Sequence, residues 1–261
     1  MMHFSLSDWL TLEVYRTFLV FVRVGAAFLL LPGFGEPFLP TQMRILAAFA
    51  VAVCVAPVVA GMPAALPNNL QMLLGVVAEA VTGTLLGTVS RTVISGVMLA
   101  GQVISQNVGL SNVFTAGLAI DETTSLGAML YAGIVAILFA SHGHYLILRS
   151  LADSYNLIPP GHFPEVSASA RAVIAAGLRC FRSGGQLALP FLLLGLIFNA
   201  SLAAVNRAMP ALPVFMIANP ALVMLGLYLL AATVPGLLGH GLEGWSDLPS
   251  LLRAAGSVSG G

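Results

Sequence analysis

Six apolar segments, at residues 10–31, 45–60, 70–89, 126–148, 187–205 and 213–239, leave this chain few ways to fold. Runs of this length without strand-like alternation predict helices, and helices this apolar need lipid or one another on most sides. Between them lie proline, glycine and asparagine, in PGFGEPFLP at 32–40 and GMPAALPNN at 61–69, and longer polar breaks at 106–125 and 149–171. No repeat of fixed period is visible. The expectation is an all-α, membrane-associated protein.

Composition narrows the function classes. The chain is 58% hydrophobic and 8% charged, with a mean hydropathy of +0.97, against about 25% charged residues in an average soluble domain. All ten basic residues are arginine, ten acids balance them, and no basic run exists to neutralise a row of phosphates. Nucleic acid is therefore not expected as a partner. Cys54 and Cys180 both lie in apolar stretches and read as small buried hydrophobes rather than a disulfide. The first residues lack a basic leader and carry Asp8 and Glu13, so the first apolar segment is expected to stay in the mature protein. Residues 246–261, which end in the small and polar RAAGSVSGG, are expected to form a flexible tail.

Several segments make poor ordinary membrane spans. Segment 45–60 would rise about 24 Å against a hydrocarbon core of about 30 Å, and Pro57 interrupts it. Arg23 and Glu79 fall inside the first and third segments, where a charge facing lipid costs at least about 2.5 kcal/mol. Both are expected to be buried in protein. Asn219 before Pro220 marks a kink. Arg171, Arg179 and Arg182 before the fifth segment and Arg207 after it compete for the same side of a membrane, so charge counting gives no clear topology. Glycines recur from 75 to 109, with Gly83 and Gly87 in a G-x-x-x-G pair and Gly96 and Gly101 beyond. Each costs a helix about 1 kcal/mol relative to alanine, so their retention predicts helix faces packed closely on other backbones.

No catalytic constellation stands out. His142 and His144 are two apart and have no third ligand at a plausible spacing, which favours a polar helix end over a metal site. Ser95 and Ser183 lack both a nucleophile-elbow context and a paired base. No H-E-x-x-H, P-loop or dinucleotide-binding glycine pattern occurs. The chain reads as a non-enzyme without cofactor or metal. A solute carrier remains open, with Arg23, Glu79, Arg91, Gln102 and Asn107 along a polar path, although the internal duplication common in carriers is missing.

Three stretches carry a family resemblance. They are PGFGEPFLPTQMRILAAFAVAVCVAP at 32–57, LFASHGHYLILRSLADSYNLIPPG at 138–161, and LALPFLLLGLIFNASLAAVNRAMPALPVFMIANPALVMLGLYLL at 187–230. In order and spacing they resemble the FliR family, which covers flagellar biosynthesis and the matching component of virulence type III secretion systems. The resemblance implies a structural subunit of the protein export gate in the bacterial inner membrane, within the flagellar basal body. There FliP, FliQ and one FliR pass unfolded proteins outward, in contact with FlhB and near FlhA. It also implies a FliP-like part at 1–168 and a FliQ-like helical hairpin at 169–245, in an assembly raised out of the membrane plane.

Two sites follow from the resemblance. The hairpin tip at 206–213 is implied to meet FlhB, with Asn206, Arg207, Pro210 and Pro213 at the contact; the simpler alternative is that the prolines only end one helix and start the next. The central run, 106–127, is implied to plug the pore beside a methionine-rich collar of FliP. Asn112, Val113, Phe114, Gly117, Leu118 and Ile120 would form the seal by excluding water, and Gly109 and Gly127 would be its hinges. The chain departs from the usual family pattern in its longer AIDETTS, where Asp121 suits the N-cap of a helix starting near Thr123 or Thr124.

Overall fold

The computed structural model describes residues 6–37, 39–109, 126–209 and 214–246. All regular structure among them is helical, with no strand. Seven α-helices follow one another: α1 Leu6–Leu30, α2 Thr41–Val55, α3 Asn69–Val108, α4 Leu126–Ala140, α5 His144–Leu157, α6 Val166–Ala208 and α7 Val214–Ser246. A short 3-10 turn, Ala56–Val58, carries α2 past Pro57.

The six apolar segments and the seven helices differ for definite reasons. Segment 126–148 is two helices, parted at 141–143 where His142 adopts a left-handed φ of 58°. Segment 70–89 continues as α3 to Val108. Its second half is less apolar but keeps helical spacing, burying Val93, Val97, Ala100, Ile104 and Val108 at intervals of three and four. The polar interval 149–171 holds most of α5 and the start of α6. There α5 is amphipathic, with Ile147, Ser150, Leu151, Ser154 and Tyr155 turned inward. α6 likewise begins 21 residues before the apolar segment at 187 and runs through Pro190.

α3 is apolar despite five hydroxyl side chains in its middle. Thr82, Thr84, Thr88, Ser90 and Thr92 each donate to the carbonyl four residues earlier, at 2.7–2.8 Å. None is left bare against apolar surroundings, which is how hydroxyls are usually tolerated inside such helices.

By contacts the chain divides into two compact units. The first comprises Met1–Thr92, Phe139–Gly177 and Trp245–Gly261; the second comprises Val93–Leu138 and Leu178–Gly244. In the first, α1 buries Leu12, Tyr15, Leu19, Arg23 and Ala27 along one face and leaves Leu10, Val14, Phe18 and Leu29 exposed. α2 packs on α1 through its buried Ala48 and Ala52 and an edge-on contact of Phe49 with Phe21. Many of its other apolar side chains, among them Ile45, Leu46, Phe49 and Val53, are exposed. Cys54 lies on that outer side and is exposed, not buried as its apolar neighbours suggested; Cys180 is half-buried, and both are free thiols. The loop after α1 is closed by Arg44, whose Nη2 donates to the carbonyl oxygen of Glu36 at 2.8 Å. Phe28, Phe34, Phe139 and His144 form a ladder of rings with centroids 4.4, 5.6 and 5.4 Å apart.

The second unit is built around one apolar cluster. Val97, Ala100, Ile104 and Val108 of α3 meet Leu126, Leu130 and Ile134 of α4, Phe191 of α6 and Leu230 of α7.

Thr41–Val58, Asn69–Val108 and Val166–Ala208 are long and apolar enough to cross a membrane, and α4 with α5 is a fourth candidate if that broken pair counts as one. Thr41–Val58 qualifies because its helix begins four residues before the apolar segment starts and the 3-10 turn extends it.

Candidate functional site

The central run is described only at its two ends. Asn112, Val113, Phe114, Gly117, Leu118, Ile120 and the acidic pair Asp121 and Glu122 lie outside the described residues. α3 ends at Val108, followed by Gly109 at φ 75°, a left-handed conformation that glycine adopts without strain. Val108 is fully buried and pressed against Gly226 of α7. A Cβ on Gly226 would overlap a Val108 methyl and lie 2.8 Å from its Cβ. One residue earlier, Asn107 approaches Gly195 of α6, where a Cβ would stand 3.2 Å from the Asn107 carbonyl oxygen. On the return side, Gly127 lies inside α4 rather than between helices. A Cβ there would come 2.6 Å from the Met98 carbonyl oxygen, and Gly101 faces it from α3. Both ends of the run thus belong to one apolar cluster, since Val108 and Leu126 are both members.

The other marked glycines also stand where a helix meets foreign backbone. In the first unit, a Cβ on Gly83 would run into the Arg23 carbonyl and approach Ala26 Cβ at 2.9 Å, and one on Gly87 would lie 2.9 Å from the Ala27 carbonyl oxygen. In the second unit, Gly96 faces the Cys180 carbonyl oxygen at 2.7 Å from its missing Cβ, and Gly184 of α6 faces the Gly96 carbonyl oxygen at 2.6 Å. These distances are too short for any side chain, so alanine at these positions would push helices apart.

Arg23 and Glu79 are both fully buried and form an ion pair. Arg23 Nε donates to Glu79 Oε2 at 2.6 Å and Nη2 to Oε1 at 3.1 Å. Nη1 donates to Ser154 Oγ at 3.2 Å, and Nη2 also to the Ile158 carbonyl oxygen at 3.1 Å. Glu79 Oε1 accepts the Gly161 amide at 2.7 Å, and the guanidinium carbon lies 3.8 Å from the Tyr155 ring centroid. Such a pair survives burial only with this many supporting bonds. The sequence marks the two charges because they interrupt apolar runs. Nothing in it marks Ser154, Tyr155 or the two main-chain groups that complete the arrangement.

Asn206 and Arg207 are exposed in the last turn of α6, where a cation also suits the helix dipole. Pro210 and Pro213 lie outside the described residues. The other polar candidates serve local structure or face outward. Ser95 sits 3.6 Å from the Cys180 sulfur, Ser183 donates to the Arg179 carbonyl at 2.8 Å, and Asn107 Nδ2 donates to the Val103 carbonyl at 2.8 Å. Arg91 and Gln102 are exposed. His142 and His144 face each other with ring centroids 6.0 Å apart, in a turn and at a helix start rather than two apart along a helix. No group of three or more metal-ligating side chains occurs among the described residues.

Long apolar helices, close glycine contacts and a buried, hydrogen-bonded ion pair define the class: an α-helical membrane protein. The chain belongs to the bacterial export proteins, family 1, whose model matches residues 14–248. Its relatives include the flagellar biosynthetic protein FliR of Caulobacter vibrioides, 31% identical over 227 residues that cover 86% of this chain and 90% of that one. FliR of Aquifex aeolicus is 28% identical over 219 residues, 83% of this chain and 84% of that one. FliR of Escherichia coli is 31% identical over 142 residues, 54% of each chain. This is the family that the three sequence stretches resemble.

Proposed function

We propose that this chain is a pore subunit of the flagellar type III protein export gate, working in the bacterial inner membrane at the flagellar basal body. One observation carries the reading: the family match runs from residue 14 to residue 248, and the relatives named above are flagellar FliR proteins. Their flagellar identity favours the flagellar gate over a virulence injectisome. The structure supports a role in company, because α2 and α6 carry apolar side chains that the chain itself leaves bare, including Leu46, Phe49, Leu193, Leu196 and Ile197. Exposed apolar patches on this scale mark surfaces meant for lipid or partners.

In this reading residues 1–168 form the FliP-like part and 169–245 the FliQ-like hairpin, which assemble with FliP and FliQ. Asn206 and Arg207 at the hairpin tip meet FlhB, near FlhA. Residues 112–120 close the path until an unfolded substrate parts them. Weak apolar contacts suit such a seal better than ion pairs, since they reform after each passage at low cost. The chain moves proteins without covalent chemistry of its own.

Copurification from native membranes tests this. The full chain is expected to bring down FliP and FliQ, and Arg207→Glu is expected to lower recovery of FlhB while leaving FliP and FliQ in place. Purification alone or as a small homo-oligomer would instead indicate a carrier.

A further inference from the structure

The turn from α5 to α6 is built around two residues that cannot hold it by their own amides. Pro159 and Pro160 have no N–H to donate. The main-chain groups on either side of them are both taken by the Arg23–Glu79 pair. The carbonyl oxygen of Ile158 accepts from Arg23 Nη2 at 3.1 Å, and the amide of Gly161 donates to Glu79 Oε1 at 2.7 Å. Arg23 stands on α1 and Glu79 on α3. Each ion therefore bonds its partner and one flank of the turn. Ser154 and Tyr155, in the last turn of α5, complete the ring of contacts around the guanidinium. Gly161 has a φ of 74°, a conformation that glycine adopts without strain, and a Cβ there would make only an ordinary contact, 3.9 Å from the Cα of Gly75 on α3. A Cβ on Gly75 would in turn meet the Tyr15 hydroxyl at 3.1 Å.

The geometry points to the Arg23–Glu79 pair as a latch that positions the turn at 158–161 on α1 and α3, and through it the start of α6. Ile158 and Pro160 are themselves buried and the His162 amide donates to the Pro159 carbonyl at 3.2 Å, so the pair adds anchoring by charge to a turn that is also packed. Replacing a buried pair by apolar residues is often neutral for stability, whereas removing one partner strands the other charge. Latch and packing can therefore be separated. An apolar double substitution restores a neutral core but leaves the Ile158 carbonyl and the Gly161 amide without their partners.

Hydrogen exchange of the full chain, extracted and kept in its complex, is the test. In the unaltered protein the Gly161 amide is expected to exchange as slowly as the amides of α5. Arg23→Met alone is expected to reduce accumulation of the protein sharply. Arg23→Met with Glu79→Met is expected to recover accumulation while the Gly161 amide exchanges at least about tenfold faster, and those of α1 and α3 stay protected. Three results would each overturn the latch. They are fast exchange of the turn in the unaltered protein, wild-type protection of the turn in the double variant, and normal accumulation of Arg23→Met with its turn still protected. If neither variant accumulates, the exchange of the unaltered protein still decides the matter.

Discussion

Gly226 and Val108 show what a single residue decides in this molecule. Val108 is the last residue of α3, at the start of the central run, and it reaches its buried place only because Gly226 offers no side chain. Gly226→Ala is expected to destabilise the protein by about 1–3 kcal/mol through overpacking. Val108→Ala in the same chain should recover most of that loss. Thermal unfolding of the purified single and double variants checks it; equal losses in both would mean that the two residues do not meet. Residue-level features were unevenly legible. Gly83, Gly87, Gly96 and Gly101 stand out by their recurrence, whereas Gly195 and Gly226 lie in apolar runs with no tell-tale spacing. Arg23 and Glu79 announce themselves as charges among apolar residues, but they are 56 positions apart. Their connection to each other and to the main chain at 158 and 161 depends on the fold. A main-chain carbonyl or amide has no residue identity to read.

Elements were legible where apolarity and helical period coincide, and less so where they part. The hydropathy of α3 fades after residue 89, yet burial of Val93, Val97, Ala100, Ile104 and Val108 keeps the helix going. α5 is a polar helix with one buried stripe, so a search for apolar runs passes over most of it. The break at 141–143 is also hidden, because its left-handed residue is a histidine rather than the glycine beside it. For α2, apolarity suggested burial, but a helix can be apolar on a face its own chain does not cover, and Cys54 is exposed on such a face. The same holds for the second half of α6, where Leu193 and Leu196 are 55% and 66% exposed, too bare for a helix that is not covered by something else. Leu196→Asp is expected to leave the fold of the chain intact, since most of the side chain lies outside the packed interior, and to reduce its recovery in the membrane complex about tenfold or more. That follows from the cost of at least about 2.5 kcal/mol for a charge at an apolar face. Fractionation of membranes followed by pull-down measures it, and undiminished recovery would place that face in water.

At the scale of the whole molecule, family membership came from the order and spacing of three stretches rather than from any one motif. The match from 14 to 248 takes in most of α1 and all of the six other helices among the described residues. The hydropathy signal separates lipid-facing from protein-facing surface poorly, so it gave helices without saying what covers them. The two described ends of the central run are seated in one apolar cluster, with Val108 at one end and Leu126 at the other. In the proposed gate those seats stay fixed while residues 112–120 make the seal, so removing the seal should open a path without dismantling the assembly. The most direct measurement is the ion and small-solute permeability of membranes that carry assembled gates with residues 112–120 deleted. Assembly is verified in the same preparation by recovery of FliP and FliQ. The account predicts a leak absent from membranes with the unaltered chain. Assembled gates that lack these residues yet remain as tight as the unaltered ones would contradict it.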